Sequence, residues 1–112
     1  MEYFMQSEIL EDKLIEILDS HFGQAVNDFV VKESSDIPAL QLVIEMSLYN
    51  YFVVRAFVEK RTISLSILQS GFQFKLFSIS MIDESIDSIP AKLEEEVRLR
   101  IPDKYLIAKG WA

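Results

Sequence analysis

Thr62-Ile63-Ser64-Leu65-Ser66-Ile67 is the most regular run in the chain, with apolar and hydroxyl side chains alternating residue by residue. Successive side chains of an extended strand point to opposite faces. This period of two therefore places Ile63, Leu65 and Ile67 on a buried face and Thr62, Ser64 and Ser66 on the other. Short polar connections flank the run, Glu59-Lys60-Arg61-Thr62 before it and Gln69-Ser70-Gly71 after it. Links of that length join antiparallel neighbours, so the run sits inside a meander.

Working upstream, residues 51–59 set Phe52, Val54, Ala56 and Val58 against Tyr51, Val53, Arg55, Phe57 and Glu59. Leu48-Tyr49-Asn50 supplies a turn, since Asn takes the left-handed conformation at low cost. Before it, Leu40, Leu42, Ile44 and Met46 alternate with Ala39, Gln41, Val43, Glu45 and Ser47. Downstream, Phe72, Phe74 and Leu76 oppose Gln73, Lys75 and Phe77 in a strand that runs to about Ser80. The pattern predicts a four-stranded antiparallel meander. Residues 24–37 are less regular, and Val26, Phe29, Val30 and Val31 read as a short strand or a crossing segment ahead of a polar turn.

Helices are expected at both ends. Leu10, Leu14, Ile17 and Leu18 recur at helical spacing over residues 7–22, widened by Ile9 and Phe22. Ser7 is the candidate cap and Gly23 the stop. After Ser85 and Ser88, the second candidate capping residues, Pro90 suits a first turn and Ile89, Leu93, Val97 and Ile101 form a stripe. Glu94 with Arg98 and Glu96 with Arg100 are spaced as i,i+4 pairs. Pro102 ends this helix, and residues 103–109 form a short one closed by Gly110 with Trp111 as its hydrophobic contact. The expectation is one α+β domain over residues 1–112, a two-layer sandwich whose outline resembles the cystatin-like arrangement.

Composition narrows the function by exclusion. The chain has 112 residues, no Cys, one His, 3 Gly and 3 Pro, which removes thiol nucleophiles, disulfides, Cys/His zinc sites and most phosphate-cradling loops. A net charge of −7 argues against binding a nucleic-acid backbone, whose affinity comes from Lys and Arg. Residues 1–8 lack the features of a secretory signal, and no apolar stretch reaches the length of a membrane span. The expected setting is cytoplasmic, with neither nucleic acid nor membrane as partner.

No catalytic constellation is recognisable. His21, near the end of the first helix, reads as a boundary histidine beside the helix C-terminus, because no nucleophile or orienting group stands at a familiar spacing. Ser64 and Ser66 lie on a strand face without a strained elbow. Asp83, Glu84 and Asp87 lack the Gly-interrupted calcium loop and read as a solvated acidic loop, while Glu94-Glu95-Glu96 sweeps around its helix. No catalytic residue, metal ligand or cofactor is assigned.

Two surfaces remain. Glu8, Asp12, Glu16 and Asp19 line one side of the first helix as an acidic ridge. The sheet face opposite the main core set carries Glu45, Tyr51, Arg55, Phe57, Lys75 and Phe77, a mixture of aromatic and charged groups of the kind that anchors interfaces. These residues form the predicted partner-binding set. They point to a small acidic protein-binding module that docks a basic protein. In size and acidity it resembles toxin-immunity proteins and secretion chaperones, a likeness of profile that assigns no residue roles. The alternatives are a pocket enzyme or ligand-binding protein in which His21, Arg55 or a buried carboxylate converge, and a structural homodimer joined through the two-faced sheet.

Overall fold

Alternation in the sequence marks four strands, and the structure adds a fifth. The structure is a computed structural model and describes residues 6–111. Helix α1 (Gln6–Phe22) is followed by β1 (Val26–Ser35), β2 (Gln41–Leu48), β3 (Phe52–Glu59), β4 (Thr62–Gln69) and β5 (Phe72–Ser80), then α2 (Ile89–Arg98) and α3 (Asp103–Lys109). The strands form one antiparallel sheet in the order β1-β2-β3-β4-β5. The fold is thus α+β, with a five-stranded rather than a four-stranded sheet.

Irregularity hid β1 in the sequence. Its register against β2 shifts twice, between Asn27 and Val30 and between Val31 and Glu33, and Asp28 takes a positive φ of 58°. Each shift moves the apolar set to the other parity, so no period of two survives across the strand. The same bulges, with the exposed charges of Asp28, Lys32 and Glu33, blunt a free sheet edge against pairing with another chain.

Turn chemistry sets the rest of the meander. Tyr49 and Asn50 both have positive φ, as do Ser70 and Gly71, and Tyr51 N–H donates to the Leu48 carbonyl across the first of these turns. Positive φ at both central residues matches the twist of the flanking strands, which gives full pairing from Leu48↔Phe52 to Gln41↔Glu59.

The last strand departs from its expected parity. Leu65 pairs with Phe77, but the next residue, Ser66, pairs with Lys75, so Leu76 is the extra residue of a bulge. Phe77 therefore stands on the core face beside Leu65, not on the outer face with Lys75. Phe72 and Phe74 share the core parity yet lie 77% and 53% exposed, past the cover of the helices.

One face of the sheet carries the core. Leu14 and Leu18 of α1, Ile89, Leu93 and Val97 of α2, and Leu106 of α3 join Leu42, Ile44, Val54, Val58, Ile63 and Leu65 in one buried cluster. Each such side chain contributes about 1.5–3 kcal/mol by leaving water. Ile9, expected to widen the stripe of α1, is instead 62% exposed.

The helix ends are fixed by local chemistry. Ser7 is not a flanking cap: it lies inside α1, and its backbone N–H and hydroxyl donate to the Asp36 carboxylate at 2.9 and 3.2 Å. An acid from the β1–β2 loop thus satisfies a first-turn donor of the helix. Ser85 Oγ accepts from Asp87 N–H at the 3-10 turn that leads into α2. At α3, Gly110 takes φ 79°, Trp111 N–H reaches the Leu106 carbonyl and Gly110 N–H the Ile107 carbonyl, the paired bonds of a Schellman motif. No helix among the described residues is long and apolar enough to cross a membrane.

Candidate functional site

Because all three helices bury their apolar stripes in the same cluster, no described element lies over the other face of the sheet. Residues 24–31, which could have covered it, widen the sheet instead as part of β1. What that face presents follows from register. Val30, Glu45, Arg55, Ser66 and Lys75 are successive cross-strand partners from β1 to β5 and form one rung across the whole sheet. Val43, Phe57 and Ser64 flank it on one side, with Ser47, Val53 and Leu68 on the other.

A polar chain runs along this rung. Arg55 donates from Nε and Nη2 to Glu45 Oε2 at 3.0 and 2.7 Å, and from Nη1 to Gln73 Oε1 at 3.0 Å. Gln73 Nε2 then donates to Ser66 Oγ at 3.4 Å. The Glu45 side chain keeps 15% of its exposure and Arg55 33%, so the pair is partly withdrawn from water and held in one geometry. Ser66 is buried. Lys75 makes no ion pair among the described residues.

The partners of Arg55 and Ser66 are fixed by these contacts. Both sides of the Arg55 guanidinium are occupied, and the buried Ser66 hydroxyl has Gln73, not a base, as its partner. His21 lies on the far side of the sheet, its Nε2 2.7 Å from Glu94 Oε1, where it ties α1 to α2. His21 and Arg55 therefore stand on opposite sides of the sheet and do not converge. No family model, curated protein or solved structure matches the chain.

The predicted partner-binding residues divide into three groups. Glu45, Arg55, Phe57 and Lys75 come together on the uncovered face. Glu8, Asp12, Glu16 and Asp19 are exposed on α1 and make no ion pair among the described residues, but they look outward from the helical layer on the other side of the sheet. Tyr51 and Phe77 belong to neither. The Tyr51 ring packs against Tyr105 of α3 at 4.8 Å, and Phe77 faces the core.

Alternation alone could not reveal the aromatic cluster at the end of the molecule. Tyr49 stacks edge-on with Phe22 and Trp111, and the Tyr105 hydroxyl donates to the carbonyls of Tyr49 and Asn50 at 2.8 and 3.2 Å. Burial raises the Tyr49 phenol above its ordinary value, partly offset by the neighbouring Arg98. Asp83, Glu84 and Asp87 do not converge: Glu84 pairs with Lys92 at 2.6 Å and Asp87 with Ser85 and Lys13.

Proposed function

We propose that this protein is a protein-binding module and that the uncovered face of its sheet receives the partner. The observation that supports the reading is the rung Glu45-Arg55-Ser66-Lys75 set among Val43, Val53, Phe57 and Leu68 with no described element above it. An Arg held in place by Glu45 and Gln73 loses little freedom on docking, and half-buried aliphatic and aromatic neighbours exclude water around it. A net charge of −7 favours a basic partner, attracted at long range by the acidic ridge of α1 and gripped at short range by the sheet. A small acidic protein that neutralises or escorts a basic protein, in the manner of immunity proteins and chaperones, is the role that suits these features.

The test separates the two surfaces by kinetics. With the partner in hand, Arg55→Ala or Phe57→Ala is expected to weaken binding at least about tenfold, mainly through faster dissociation. Reversing Glu8, Asp12 and Glu16 is expected to slow association and flatten its salt dependence. Unchanged affinity for both sheet variants rejects the sheet as the docking surface.

A further inference from the structure

We propose a second binding site, a cleft at the α1 N-terminal end of the core layer that takes a free single-chain amphiphile with an anionic head. The cleft has a volume of about 620 Å³, within the range of small-molecule sites. Its apolar lining comes from three parts of the chain: Ile9 and Leu10 on α1, Leu40 ahead of β2, and Met81 and Ile86 between β5 and α2. Four of these five are only partly buried and Ile9 is 62% exposed, so the described residues leave apolar surface unfilled here.

The charge at this cleft runs against that of the whole chain. Its three ionisable lining residues, Lys13, Lys60 and Arg61, are all cationic, on a chain of net charge −7. Lys60 and Arg61 are unpaired among the described residues, and the Asp87 carboxylate stands 3.8 Å from Lys13, with both side chains largely exposed. Glu84, the other acid of that loop with an ion pair, is turned to Lys92 at 2.6 Å. An apolar chain would replace water on the lining while an anionic head meets the cations. A neutral or cationic amphiphile would gain only the first contact.

The walls are fixed in place before any ligand arrives. The Asp36 carboxylate holds the first turn of α1 through Ser7 at 2.9 Å, and Met81 N–H donates to the Arg61 carbonyl at 2.8 Å, joining the loop after β5 to the β3–β4 turn. Neither bond involves the groups that would touch the ligand, so the site is preorganised.

The probe is dodecanoate below its micellar concentration, followed by titration calorimetry and amide chemical shifts. Saturable one-to-one binding is expected, with shifts centred on Ile9, Leu10, Met81 and Ile86, and with octanoate weaker by up to about fourfold per methylene removed. Lys60→Asn with Arg61→Glu, on an exposed turn where Asn tolerates the positive φ of Lys60, is expected to weaken binding at least about tenfold. The circular dichroism of this variant should be unchanged, and Arg55→Ala should leave affinity unaltered. Absence of saturable binding, equal affinity for dodecyltrimethylammonium, or shifts centred on Val53 and Leu68 overturns the proposal. So does binding to anionic vesicles without binding to free dodecanoate.

Discussion

Arg55 on β3 lies directly opposite Glu45 on β2 and places two N–H donors, Nε at 3.0 Å and Nη2 at 2.7 Å, on the same carboxylate oxygen. Its third contact, from Nη1 to Gln73, reaches over β4 to β5. One side chain thus links three strands across a face that no described element covers. Removing Arg55 alone leaves a carboxylate with 15% exposure unpaired. Arg55→Ala is expected to cost about 1–3 kcal/mol in urea unfolding, whereas the apolar double variant Glu45→Leu with Arg55→Met is expected to recover most of that loss. Equal destabilisation by both variants would show that the pair is not coupled.

The bulge at Leu76 makes a contrast between two phenylalanines on one strand. Phe77 packs on the core, while Phe72 is 77% exposed. Phe77→Ala is expected to destabilise by about 1–3 kcal/mol and Phe72→Ala by less than about 0.5 kcal/mol in the same unfolding assay. A regular, unbulged β5 would place Phe77 outward and remove the cost of its truncation.

Much of this architecture was legible because burial on one face imposes a period. Within each of β2, β3 and β4 apolar side chains recur at every second position, and the buried positions Leu42, Ile44, Val54, Ala56, Ile63 and Leu65 are those the alternation names. Where the backbone adds a residue, parity inverts, which is why residues 26–35 show no single period that decides between strand and crossing segment and why Phe77 counts to the outer face. The doublet Leu76-Phe77 was the available signal, since alternation slips by one there. Glu45, Arg55 and Lys75 fell on one face by counting alone. The bond from Arg55 to Gln73 depends on side-chain reach across β4, and the split between the acidic ridge and the sheet depends on which face the helices take. Neither is written in local pattern.

Asp36 acts on α1 from 29 positions away in sequence. Asp36→Ala removes the acceptor of the Ser7 N–H and is expected to cost about 0.5–2 kcal/mol, with hydrogen exchange accelerated selectively in the first turn of α1. Uniformly unchanged exchange along α1 would exclude a capping role.

Tyr49 gives the fold an alkaline limit. Its phenol is raised above its ordinary value of 10.0 by burial, so the folded chain retains a proton that the unfolded chain releases. The resulting contribution to stability is intact below about pH 10 and is lost as pH rises through the folded-state value. Phenolate absorbance is expected to show a transition displaced above the ordinary tyrosine value, and Tyr49→Phe is expected to remove that late transition. A late transition that persists in Tyr49→Phe assigns it to another residue.

A partner is proposed to dock on the uncovered face of the sheet. A photoreactive amino acid at Val53, beside the rung, tests it most directly, with a second at Ser20 on the exposed side of α1 as the reference. In cells of the native host, Val53 is expected to yield a discrete adduct with a basic protein, abolished by Arg55→Glu and absent from Ser20. Adducts only with a second copy of the chain, or a heterologous adduct that Arg55→Glu leaves intact, would contradict it.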